Sequence, residues 1–145
     1  MTDRIIFLDG AMGTMLQAAG LKAGARPELL CLEKPDLIQE IHTKYINAGS
    51  NIIYTNTFGA NRHKLSEVGT SPLEIIPAAV NIAKKAAGNK AKVALDVGPI
   101  GELLEPLGSL SFDNAYDIFK EMVIIGEKSG ADLVVFETMT DLSEV

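Results

Sequence analysis

A chain of 145 residues with 47% apolar content has the length of one domain and enough nonpolar side chain for a real core. A formal charge of −6, no Trp, and only five Phe and three Tyr argue against a nucleic-acid backbone, a base-stacking platform or an anionic membrane surface as partner, and favour a small metabolite. No apolar run approaches the ~20 residues that cross a bilayer, no secretory leader is legible, and the single cysteine, Cys31, allows no internal disulfide, so a reducing cytoplasm is the expected setting.

The chain alternates strand and helix. Ile5-Ile6-Phe7-Leu8 reads as a first strand and ends at Asp9-Gly10, followed by a short helix from Thr14 to Ala19 and a loop from Gly20 to Leu32. Pro35 suits the first position of a second helix, whose apolar residues Leu37, Ile38, Ile41, Tyr45 and Ala48 stop at Gly49. A second strand, Ile52-Ile53-Tyr54-Thr55, opens into Asn56-Thr57, and helical segments at 62–68 and 73–87 lead to Val93-Ala94-Leu95 and Asp96-Val97-Gly98. Ser111 caps a long helix with the stripe Phe112, Ala115, Phe119, Met122, Val123 and Gly126. Gly130 ends it, Val134-Val135-Phe136 runs into Glu137-Thr138, and a further helix begins near Asp141.

Short, all-apolar strands of this kind belong to parallel sheets covered on both faces, where ligands collect at the carboxyl ends of the strands. A match in pattern between 49–57 and 130–138 places Asn56 and Glu137 at equivalent strand ends. Alternating strands and helices fit either a doubly wound sheet or a (β/α)8 barrel. Four such units are about half of a barrel that typically needs ~250 residues.

The strand-end acids are the candidates for chemistry. Asp9, followed by Gly10, either meets a ligand or caps the turn into the next helix. Glu137, flanked by Phe136 and Met139, reads as a functional carboxylate that meets a cation or works as acid or base. Asp96 stands beside the rigid Gly98-Pro99-Ile100-Gly101 turn, and the structural reading is favoured for it. The Gly-x-x-Gly turns at Gly10–Gly13 and Gly98–Gly101 match no complete phosphate-binding pattern. His42 and His63 are isolated, and Cys31 has no partner thiol, so none of the three reads as a metal ligand. The residues by themselves describe an acidic strand-end pocket for an amine-bearing metabolite.

Together, Leu8-Asp9-Gly10-Ala11-Met12-Gly13-Thr14, Tyr54-Thr55-Asn56-Thr57-Phe58-Gly59-Ala60-Asn61, the Gly98–Gly101 turn with Leu104-Glu105-Pro106, and Phe136-Glu137-Thr138-Met139-Thr140-Asp141 resemble the homocysteine-binding domain of homocysteine S-methyltransferases. The wording is most similar to the N-terminal module of the cobalamin-dependent methionine synthases. The resemblance implies the first half of a (β/α)8 TIM barrel, with no catalytic residue within this chain. Asp9 and Gly10 match the family's substrate-binding Asp-Gly, Glu137 matches the Glu that meets the substrate ammonium, and Asn56 and Thr57 are expected to line the same mouth. Family zinc is held by three cysteines, one at a later strand end and two adjacent, which are expected beyond Val145. Methylcobalamin is the implied methyl donor in a longer parent with folate and cobalamin modules. The 1–145 half-barrel is expected to be inactive alone and, with open strand edges, to self-associate. The alternatives are a non-catalytic half-barrel module, or another barrel enzyme using Glu137 as acid or base.

Overall fold

The structure, a computed structural model, describes residues 5–145. Three parallel strands, β1 (Ile52–Tyr54), β2 (Lys92–Val97) and β3 (Leu133–Phe136), lie in chain order, with Ile52 beside Lys92 and Asp96 beside Val135. The expected first strand joins them through a single bridge, Leu8 to Ile52, supported by Phe7 O accepting from Asn51 N at 2.8 Å and Ile52 N at 3.2 Å. It is an extended edge segment, and it is not covered on both faces: Ile5 is 72% exposed and Phe7 59%.

Among the described residues six α-helices accompany the sheet: α1 (Met12–Ala18), α2 (Leu30–Glu33), α3 (Pro35–Asn47), α4 (Arg62–Ser66), α5 (Pro72–Ala87) and α6 (Phe112–Lys128). Their starts follow local chemistry. The Asn61 side chain accepts from Lys64 N at 2.9 Å to open α4, and Ser111 Oγ accepts from Asn114 N at 3.3 Å to open α6. Ser71 and Glu74 form a reciprocal capping box ahead of α5, with Pro72 in the first turn. Gly49, at φ +108°, takes up the left-handed turn after α3 that a side chain would resist.

α3, α5 and α6 stand side by side, α3 against β1, α5 against β1 and β2, and α6 against β2. Ile53, Val93, Leu95 and Val97 belong to the buried clusters that these helices build. Alternation along a strand therefore turns Tyr54, Ala94 and Asp96 to the other face. α6 packs closely on β2 at Gly126, where a Cβ would stand 2.6 Å from Leu95 Cδ2. Of the expected α6 stripe, Ala115, Phe119, Met122 and Gly126 are buried, while Phe112 at the first position overhangs the core and is 61% exposed.

Two further segments differ from the sequence reading. The loop expected to run to Leu32 contains a 3-10 turn (Pro27–Leu29) that runs directly into α2, because Leu30 and Cys31 bury themselves against Leu16, Ile38 and Ile41. The helix expected near Asp141 is a 3-10 turn (Leu142–Glu144), capped by Asp141 Oδ1 accepting from Ser143 N at 2.9 Å. Buried Glu144 then accepts from Ile100 N at 2.7 Å and ties that turn to the Gly98–Gly101 segment.

Candidate substrate site at the strand ends

The parallel register brings three acids to one end of the sheet. Asp9 follows the extended N-terminal segment, Asp96 is the fifth residue of β2, and Glu137 is the first residue after β3, its N–H donating to Val97 O at 3.1 Å. All three line a cavity of about 270 Å³ together with Gly10, Tyr54 and Thr55. Thr55, Asp96 and Glu137 also line a wider cavity of about 480 Å³ that includes Glu28, Asn56 and Lys64. No Lys, Arg or His among the described residues pairs with Asp9, Asp96 or Glu137.

Each acid is held differently. Asp9 Oδ2 accepts from Tyr54 N at 2.9 Å, so its carboxylate braces neither the turn nor α1 but the neighbouring strand. Burial pushes the Asp9 carboxyl up to about 6, against the pull of that hydrogen bond. Asp96 is 8% exposed, its Oδ1 has no hydrogen-bond partner among the described residues, and burial together with Glu137, Asp9 and Glu28 pushes it up to about 8. Glu137 is half-buried, and Thr138 directly after it has φ 60°, a left-handed conformation rare for a β-branched residue. Gly10 is required by close approach: a Cβ there would stand 2.9 Å from the Tyr45 ring, whose hydroxyl donates to Ala11 O at 3.1 Å.

Of the two expected mouth residues, Thr57 is placed otherwise and Asn56 stays at the cavity wall. Thr57 is fully buried, lines neither cavity, and donates from Oγ1 to Asp96 O at 2.7 Å while sharing a 2.6 Å hydroxyl contact with Thr55. The chain turns under the strand end there, so it is Thr55 that reaches the cavities. Asn56 does line the wider cavity, but its Nδ2 donates to Pro27 O at 2.8 Å and contacts Cys31 Sγ at 3.5 Å, so its amide fastens the loop to the strand end.

Residues that the sequence reading passed over complete the wall. Glu28 is buried with Oε1 accepting from Gly59 N at 2.7 Å, and Lys64 Nζ donates to Pro99 O at 2.7 Å while lying 5.5 Å from the Phe58 ring centroid. Burial lowers the Lys64 ammonium below its ordinary range. Asp96 had a legible signal, the same strand-tip position as Asp9 and Glu137. Glu28 had none, because nothing local in Arg26-Pro27-Glu28 indicates that it folds back on Gly59.

The zinc centre implied by the resemblance finds no fit in these residues. Cys31 is buried against Asn56 O, and burial pushes its thiol up to about 12, which opposes the thiolate that a zinc ligand must be. His42 is buried at the helix-packing face of α3, and no group of three or more His, Cys, Asp or Glu among the described residues is placed to hold a metal ion.

A parallel α/β sheet with carboxyl groups gathered at its strand ends is the architecture shared by doubly wound sheets and (β/α)8 barrels. The homocysteine S-methyltransferase family profile matches residues 6–145, and the chain belongs to that family. It is 30% identical over 159 aligned positions to "Methionine synthase" of Mycobacterium tuberculosis (strain ATCC 25618 / H37Rv), a match that takes in 100% of this chain and 13% of that protein. The solved structures of the homocysteine methyltransferase MmuM from Escherichia coli are similar throughout. The oxidized form superposes with a TM-score of 0.84 at 28% identity over 97% of this chain and 55% of that one. The metallated form gives 0.83 at 26% identity, over 98% and 57%. The chain thus has the fold of the first half of a homocysteine methyltransferase barrel, and it spans a little over half of those structures.

Proposed function

We propose that the strand-end site binds homocysteine, with Asp9 and Glu137 receiving its ammonium and the Gly10 backbone admitting it closely, in a protein that transfers a methyl group to the homocysteine sulfur to give methionine. The observation that carries this reading is the cavity at the strand ends, where Asp9 and Glu137 converge with no cation among the described residues to neutralise them. A bound ammonium supplies that charge, and each charge-assisted hydrogen bond contributes about 1.5–3 kcal/mol. Thr55 belongs to the same wall, Asn56 lines the wider cavity while fastening the loop, and Thr57 acts behind them by holding the strand end in place.

These residues orient the substrate and do not activate it. A zinc ion held by cysteines outside these residues would supply the stabilisation of the thiolate. By likeness to methionine synthases, methylcobalamin is the donor, and the exposed faces of Ile5, Ile6, Phe7 and Leu8 are covered by further βα units of a closed barrel. Residues 1–145 alone are then inactive and prone to self-association.

The test is calorimetric titration of homocysteine into the intact protein and its Glu137→Gln variant. The variant keeps the side chain's shape and removes its charge, so binding should weaken by about 2–4 kcal/mol, the range for breaking a desolvated charge pair. Equal affinity in the two proteins would return Glu137 to a structural role and sink the reading.

A further inference from the structure

Asp96 is a buried acid whose backbone is fixed and whose side chain is not. Its N–H donates to Thr55 Oγ1 at 3.1 Å and its C=O accepts from Thr57 Oγ1 at 2.7 Å, yet Oδ1 is fully buried without a partner among the described residues. An Asp that braces a turn spends its carboxylate on a backbone N–H. Asp96 instead lines both strand-end cavities.

The groups that face it are acids from three directions: Glu137 from the end of β3, Asp9 from the N-terminal segment and Glu28 from the 3-10 turn, with the Tyr54 phenol on β1 beside them. The two cations that line the wider cavity are engaged elsewhere, Lys64 with Pro99 O and Arg26 with Glu67. Three neighbouring negative groups and burial disfavour a further negative charge, and a buried carboxylate without a partner is costly, whereas a neutral carboxyl is cheap. The carboxyl ordinarily ionises near 3.8, and here it is pushed up to about 8.

We propose that Asp96 carries a proton while the site is empty and releases it to solvent when the ammonium of an amino-acid ligand arrives, so that binding exchanges a proton for a cation. The inference rests on the amino-acid reading given above and adds Asp96 to that site as its third acid. In the exchange the Oδ–H bond breaks, the proton passes to a solvent base, and the carboxylate formed accepts an N–H from the ligand. No electron changes hands. The incoming positive charge offsets what Glu137 and Asp9 impose, which is why the proton leaves only when the ligand is present.

The probe is L-methionine, which has the amine and carboxylate of homocysteine but a thioether with no proton to lose. Titration calorimetry on the intact protein at pH 7, run in two buffers of different ionisation enthalpy, should show close to one proton released per methionine bound. The dissociation constant should fall about fivefold between pH 7 and pH 8. In Asp96→Asn the release should vanish and the affinity should become flat across that range. Protonation is read without ligand by carbon NMR of protein labelled at the Asp carboxyl carbons, where one carboxyl should titrate near pH 8. If every Asp carboxyl titrates below pH 6.5, or if methionine binds the unaltered protein without proton release, the proposal is overturned. If a carboxyl does titrate near pH 8 but methionine and homocysteine both fail to bind, the amino-acid reading falls and the exchange falls with it.

Discussion

The carboxylate of Asp9 accepts the backbone N–H of Tyr54 at 2.9 Å, so a residue assigned to substrate also fastens the N-terminal segment to β1. The two duties separate by mutation. Asp9→Asn keeps an oxygen for Tyr54 N and should leave stability within about 0.5 kcal/mol, while weakening homocysteine binding through lost charge. Asp9→Ala leaves a half-buried N–H without its partner and should cost about 1–3 kcal/mol in urea unfolding. Equal stability of the two variants would mean that the hydrogen bond does not matter in solution. Combined with Glu137→Gln, Asp9→Asn should lose less binding than the sum of the two singles, because both acids serve one ammonium.

Stability should depend on pH through three buried or partly buried groups, with Asp96 and Asp9 pulling one way and His42 the other. The raised Asp96 makes the folded chain bind more protons than the unfolded one between pH 3.8 and about 8, so its contribution is full below 3.8 and lost as pH rises through 8. Buried His42, with neither ring nitrogen hydrogen-bonded, is pushed by burial from 6.5 down to about 4, so its contribution is present above 6.5 and lost as pH falls through 4. From pH 8 to 6.5 Asp96 titrates ahead of Asp9, whose carboxyl is pushed up only to about 6, and stability should climb by up to about 1.4 kcal/mol per pH unit. Below 6.5 Asp9 adds to the climb and His42 opposes it. Asp96→Asn should flatten the upper limb, and His42→Leu should let stability keep rising below pH 6.5. A profile unchanged by both substitutions would refute the assignment.

At Gly10 the constraint is steric. A methyl group would sit 2.9 Å from Tyr45 Cε1 and Oη, so Gly10→Ala must displace that ring and break the hydroxyl's bond to Ala11 O. The cost should be about 1–3 kcal/mol, as for overpacking elsewhere. Made in a Tyr45→Ala background, the same change should cost far less, and equal costs in the two backgrounds would mean that Tyr45 is not what holds position 10 to glycine.

The alternation of elements, the parallel sheet and the strand-end position of Asp9, Asp96 and Glu137 were legible because they follow from local patterns: apolar runs, Pro35 and Ser111 at helix starts, and Gly49 and Gly130 at helix ends. What the sequence hid depends on contacts between distant residues. Thr57 reads like Asn56 and Thr55, and only the turn of the chain beneath the strand end sends its hydroxyl to Asp96 O rather than to the cavity. Ile5–Leu8 has the composition of a central strand, but among the described residues it meets β1 through one bridge at Leu8 and its side chains stay exposed, which its apolar composition does not reveal. Asp96 looked like a turn residue because its neighbours Gly98 and Pro99 form a turn. That its carboxyl goes without a partner is a fact of packing, which no short window of sequence encodes.

Cys31 reports on the join between the loop and the strand end. Its thiol is buried, lies 3.7 Å from Asn56 O, and is held far from its thiolate form, while Asn56 Nδ2 donates to Pro27 O on the same loop. A disulfide reagent attacks thiolate that it can reach, so Cys31 in the native protein should react slowly at pH 8 and become fully reactive in denaturant. Asn56→Ala leaves Pro27 O without its donor and should cost about 1–3 kcal/mol. The loosened loop should also open more often, and the reaction of Cys31 under native conditions should accelerate about in proportion to the lost local stability. Asn56→Asp keeps the shape but sets a carboxylate against the Pro27 carbonyl, and should accelerate it as well. Native reactivity equal in all three proteins would separate the loop's anchoring from Asn56 and assign it to the apolar packing of Leu30 and Cys31 alone.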